Sequence, residues 1–146
     1  MIEINNTTKQ KINLAKTKKI VEAWLKANKK GSWEVSLAVV GSSRMKRLNE
    51  DYRGIAKTTD VLSFVGERID NIEPDAKYLG EVIINIEEVK KASKYLEVFG
   101  KKKSAEYIFY FLLIHGLLHL IGHEDDEEVD RQRMLVLGDK FLKKYF

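Results

Sequence analysis

Hydrophobic residues along the chain repeat with two different periods, and the changes of period mark out the elements. Ile2 to Ile4 reads as a short opening strand. From about Lys9 to Asn28, Ile12, Ile20, Val21, Trp24 and Leu25 fall on a 3.6-residue stripe, which predicts a helix ended by Gly31. The stretch WEVSLAVV then alternates Trp33, Val35, Leu37 and Val39 with Glu34, Ser36 and Ala38, the period of a half-buried strand. Ser42 or Ser43 is placed to cap a short helix carrying Met45, Leu48 and Tyr52 and closed by Gly54. DVLSFV, Asp60 to Val65, predicts a second strong strand. Gly66 to Lys77 reads as a loop, and LGEVIINI from Leu79 as a third strand.

The second half is more helical. Asn85 with Glu88 has the form of a capping box, and Val89, Ala92, Leu96 and Phe99 continue a helical stripe to Gly100. An almost wholly apolar helix is expected from about Ser104 to Ile121. A last amphipathic helix starts near Glu127 and carries Met134, Leu137 and Phe141. Its acidic first turn and its terminal Lys143 and Lys144 suit the helix dipole. The pattern predicts an α+β fold: a small mixed sheet packed with helices, around one central helix that is apolar nearly all round.

Composition narrows this picture. A length of 146 residues predicts a single domain spanning 1–146. The absence of cysteine removes disulfides, thiolate metal sites and cysteine nucleophiles together, and fits a reducing, cytoplasmic setting. MIEINNTTKQ has no apolar leader core, and the apolar run Tyr107 to Ile121 is shorter than the ~18–20 residues of a membrane span. No membrane association is expected. The net charge of +4 is too mild to argue for nucleic acid alone. Basic residues nevertheless cluster at Lys16, Lys18 and Lys19, at Lys29 and Lys30, at Arg44, Lys46 and Arg47, and at Lys101 to Lys103. Each cluster taken singly fits a solvated helix end; several on one face would attract phosphate.

Chemistry concentrates in HGLLHLIGHEDD, residues 115–126, which holds all three histidines. His115 and His119 are four apart, so a helix directs both imidazoles at one point, the geometry of a divalent metal site. A third ligand has to come from a chain that turns back, and Gly122 can end the helix in the left-handed conformation. Asp125, ten residues beyond His115, is preferred as that ligand. His123 remains an alternative, Asp126 a weaker one, and Asp125 with Glu128 also reads as a capping box for the last helix. Three protein ligands leave a fourth position for water, as a hydrolytic site requires.

HGLLHLIGHEDD resembles the metal-binding signature of the YbeY family of bacterial endoribonucleases, whose HGxLHLxGYDH supplies three histidines. LNEDYRGIAKTTDVLSFV from Leu48 and LGEVIIN from Leu79 resemble two further blocks of that family, in the same order and spacing. The departures are specific. Asp125 stands where the family has its third histidine, His123 and Glu124 where it has tyrosine and aspartate, Val65 for proline and Glu81 for aspartate. The resemblance implies a zincin-like fold and metal-dependent cleavage of single-stranded RNA. It places that activity in ribosomal RNA maturation, at the 3′ end of 16S rRNA, and in ribosome quality control. The implied partners are ribosomal RNA, the small ribosomal subunit and assembly factors, with no role on DNA. It also implies a catalytic role for Arg53 and metal binding by His115, His119 and Asp125. Asp60, Ser63 and Glu81 are further candidates beside the site. The implied cofactor is one divalent ion, zinc first; the harder carboxylate of Asp125 also admits manganese, cobalt or nickel.

Three other readings share parts of the pattern. A zincin protease also uses two histidines four apart, but needs a glutamate directly after the first, where this chain has Gly116. A non-catalytic RNA-binding or ribosome-assembly protein could use the metal only to tie the last helix to the central one. A 2-His-1-carboxylate iron oxygenase shares the ligand types but not their usual order along the chain.

Overall fold

A computed structural model describes residues 1–66 and 77–146. In chain order the elements are β1 (Ile2–Asn6), α1 (Leu14–Ala27), β2 (Glu34–Val40), α2 (Ser42–Arg53), β3 (Val61–Val65), β4 (Tyr78–Asn85), α3 (Ile86–Val89), a 3-10 turn (Ala92–Tyr95), α4 (Leu96–Phe99), α5 (Ala105–Leu120) and α6 (Glu128–Leu142). A second 3-10 turn, Lys143–Tyr145, follows α6. The strands form one mixed sheet in the order β1-β2-β4-β3, parallel except for β3 on β4. The α+β architecture expected from periodicity is present. Most of the expected loop, residues 67–76, lies outside the described residues.

Helices cover both faces of the sheet. On one face, Ile20, Val21, Trp24 and Leu25 of α1 share a core with Val35, Leu37, Val39, Val82 and Ile84 of the sheet, and with α5. On the other, Met45 and Leu48 of α2 meet Ala38, Val40, Leu62 and Ile83. This double cover corrects the expectation for β2. Its alternation suggested one wet face, yet every residue from Val35 to Val40 is buried, including Ser36.

Other differences are local. α1 starts at Leu14 rather than Lys9, because Asn13 caps it by accepting from the Lys16 N–H at 2.9 Å. Ile12 lies ahead of the helix and still packs on the core. Neither Ser42 nor Ser43 caps α2: Gly41 holds the cap position and Glu87 accepts from the Ser42 N–H, placing a carboxylate at a helix N-terminus where the dipole favours it. The helix expected from Asn85 to Gly100 is broken into α3, a 3-10 turn and α4. Only half of its capping box exists. Asn85 accepts from the Glu87 N–H, whereas the buried Glu88 turns to Lys94 at 2.8 Å and Lys91 at 2.9 Å, which hold its carboxyl below the ordinary value. On α6 the buried line is Met134, Gly138 and Leu142, so Leu137 lies on the exposed side at 37%. Gly138 sits against Phe111, which lets α6 come close to α5.

Asn85 also ties three segments together from a fully buried position. Its Nδ2 donates to Ser42 Oγ at 3.0 Å, Thr58 Oγ1 at 3.0 Å and the Thr59 carbonyl at 3.1 Å. The start of α2, the approach to β3 and the end of β4 are thereby fixed beside one another.

Candidate metal centre

α5 is buried over almost its whole length, from Tyr107 to Leu120. His115 and His119 are its polar interruptions, with side chains 13% and 27% exposed, and both open on the same cleft. Ser104 starts the helix by accepting from the Tyr107 N–H, and Gly122, at φ 101°, turns the chain back after it. That turn delivers Asp125. Its Oδ2 lies 3.2 Å from His115 Nε2 and 3.4 Å from His119 Nε2. Ligand atoms from all three residues fall within 4.8 Å of one another.

These spacings fit a metal ion. Zinc bonds of ~2.0–2.1 Å in a tetrahedron separate neighbouring ligand atoms by about 3.3–3.4 Å, and the two histidine-to-aspartate distances bracket that separation. Protonation adds to the fit. His119 Nδ1 lies 2.9 Å from the His123 carbonyl, which only accepts, so Nδ1 carries the proton and Nε2 presents a lone pair to Asp125. Burial, with the neighbouring His119, pushes the His115 imidazole down from its ordinary pKa despite Asp125, favouring the neutral form that binds metals. The His119 lone pair, the Asp125 carboxylate and His115 Nε2 thus meet at one point, a group that could hold a metal ion.

The alternative ligands are not brought in. His123 contributes its backbone carbonyl to orient His119, and neither its imidazole nor Asp126 belongs to the ligand group among the described residues. Asp125 is also free of helix capping: Glu127 holds the cap position of α6 and makes no side-chain cap bond. The expected Asp125–Glu128 box therefore does not form. Replacing Asp125 by histidine is expected to tighten zinc binding relative to manganese, whereas His123→Ala leaves zinc affinity unchanged. Chelator competition on the purified variants checks both outcomes.

Gly116 decides against a protease. A Cβ at this position would lie 2.5 Å from Val82 Cγ1 and 3.1 Å from Ser63 Oγ. The face of α5 where a zincin protease carries its glutamate is pressed onto β4, leaving no room for a side chain, still less a general base.

Around the ligands lies a cleft of about 850 Å³. Arg53 enters it from the C-terminal end of α2 and makes no hydrogen bond or ion pair among the described residues. Asp60 and Ser63 also line it. Ser63 Oγ donates to the Gly116 carbonyl at 3.0 Å, fixing β3 against α5 beside His115. Glu81 is buried in β4, paired in register with Phe64, and does not line the cleft. Two lining residues escaped sequence reasoning. Tyr95, whose hydroxyl burial and Asp60 hold in the protonated form, donates to Asp60 Oδ2 at 2.9 Å. Arg131 reaches the cleft from the first turn of α6, where it pairs with Glu128 at 2.9 Å. The break in the 86–99 helix hid the first, and a lone arginine in an acidic turn gave no signal for the second.

Comparison with known proteins identifies the family. A family model described as Endoribonuclease YbeY matches residues 3–146. The chain belongs to the YbeY family. Among curated relatives of that name, the one from Halalkalibacterium halodurans is 34% identical over 122 residues, covering 79% of this chain and 74% of that one. The YbeY of a Nitratiruptor species is 40% identical over 111 residues, covering 76% and 69%. The solution structure of a Thermotoga maritima protein matches with a TM-score of 0.64 at 25% identity, over 99% of this chain and 88% of that one. The YbeY resemblance drawn from the three sequence blocks is thereby borne out. In this YbeY chain a group of two histidines and one aspartate could hold a metal.

Proposed function

We propose that this YbeY chain acts as a single domain, a metal-dependent endoribonuclease that cuts single-stranded RNA during ribosomal RNA maturation, 16S 3′-end processing included. Membership of a family whose curated relatives are named endoribonucleases supports the reaction class. The observation that carries the reading to these residues is the placing of Asp125 Oδ2 between the two imidazoles, with Arg53, unpaired among the described residues, in the same cleft.

His115, His119 and Asp125 hold one divalent ion, zinc first, with manganese, cobalt or nickel open to it through the carboxylate. When bound, the ion supplies a Lewis acid for a phosphoryl oxygen and for attacking water. Arg53 supplies a forked, permanently charged donor that binds the scissile phosphate and opposes charge growing on its non-bridging oxygens. The partly buried walls around His115 lower the local dielectric and so strengthen both effects. Cytoplasmic work on the small ribosomal subunit, with its assembly factors, is the setting that suits a cysteine-free chain with several basic clusters; no described helix is long and apolar enough to cross a membrane.

The test is cleavage of end-labelled RNA by the purified protein. A single strand is expected to be cut, while the same sequence as a duplex or as DNA is spared. Chelation abolishes the cutting, and one of the four divalent ions restores it. Cutting that persists in the chelated, metal-free protein would remove the ion from the reaction.

A further inference from the structure

The cleft does not end at the metal ligands. Val98, on α4, and Leu135, on α6, line it and also line a second groove of about 550 Å³ on the far side. The two depressions thus adjoin across an apolar wall, with Val98 on it 45% exposed. Beyond that wall the groove is lined by Lys101, Lys103 and Lys143, with Asp139 as the opposing acid, and by the exposed ring of Phe146. α6 and the 3-10 turn after it line both sides at helical spacing: Arg131 and Leu135 on the metal side, then Leu135, Asp139 and, in the turn, Lys143 on the lysine side. From Arg131 to Lys143 a helix rises about 18 Å, the reach of roughly five phosphates at the duplex spacing of ~3.4 Å and fewer in a stretched strand.

The charges here are available. Asp139 accepts from the Tyr107 hydroxyl. Lys103 lies over the Tyr107 ring at 4.4 Å, which holds its ammonium beside the groove. Lys101, Lys103 and Lys143 form no ion pair among the described residues. Of the basic clusters noted in the sequence, Lys101 to Lys103 supplies two residues, Lys101 and Lys103, to the groove that adjoins the metal cleft.

We infer that this groove is the track for the RNA strand flanking the scissile phosphate, with Lys101, Lys103 and Lys143 neutralising its phosphates and the half-exposed Phe146 ring beside them. The inference rests on the endoribonuclease reading and extends it. Three lysines against one acid favour a polyanion over an apolar protein segment, and single-strand sites combine such charge with aromatic rings.

The test compares a dodecanucleotide with a tetranucleotide, both single-stranded RNA, on the metal-loaded full chain. The triple variant K101E/K103E/K143E is expected to bind the longer strand about tenfold or more weakly, with a log–log salt dependence shallower by about 2, at roughly 0.7 per phosphate contact. Cleavage of the tetranucleotide and the metal content stay at parental values. The double variant K101E/K143E spares the Lys103–Tyr107 contact and gives a smaller loss of the same kind. K18E/K19E/K26E on α1 makes an equal change in net charge and leaves the longer strand's affinity at the parental value. Equal losses for both lengths, equal loss in the α1 control, or no loss at all would overturn the track while leaving the nuclease intact. A parent protein that neither binds nor cuts either strand would overturn the nuclease reading itself.

Discussion

With His115 and His119 both changed to alanine, the purified protein is expected to lose its bound transition metal, from about one ion per chain to a trace. The reason is geometric. Asp125 alone is a single, 38% exposed carboxylate, and removing both imidazoles breaks up the three-residue group found among the described residues. Loss of a Lewis acid worth several kcal/mol corresponds to a fall in cleavage rate on the order of 10³-fold or more. Elemental analysis after gel filtration reads the first outcome and single-turnover cleavage the second. Metal content equal to the parent's would exclude these residues as the site. The fold is expected to survive, since both imidazoles border the cleft while α5 keeps its apolar contacts with the sheet.

Arg53→Ala is expected to separate chemistry from structure. Arg53 is exposed at the end of α2 and holds no described residue in place, so its loss leaves melting temperature and metal content unchanged. Cleavage falls by roughly 10²–10³-fold if the guanidinium opposes charge in the transition state, the usual cost of deleting one such donor. Arg53→Lys keeps the charge without the fork and recovers only part of the rate. Parental activity in Arg53→Ala would take this residue out of the reaction.

Much of this was legible in the residues because it depends on near neighbours in sequence. The strands follow from alternation, α5 from its unbroken apolar run, and the group that could hold a metal from spacings of four and ten residues around a glycine. What stayed hidden depends on distant partners. Glu87 caps α2 across 45 residues of chain, so the serines that matched the local rule are not used. Glu88 looked like a capping residue and is instead held by Lys91 and Lys94, within a segment bent so that Tyr95 reaches Asp60. β2 alternates like a strand with one wet face, but α2 returns over that face and buries it. The choice between His123 and Asp125 likewise needed the turn itself, which spends His123 through its carbonyl and points Asp125 inward.

The contact of Gly116 with Val82 has one more consequence. With no side chain at 116, the valine works as a key in a slot cut into α5, and the Ser63 hydroxyl bolts the same carbonyl from the neighbouring strand. A helix keyed in this way cannot turn about its axis without driving a bulkier residue, His115 or Leu117, onto β4. The two imidazoles are therefore aimed by the sheet, and the candidate ligand group is set by packing that lies outside it.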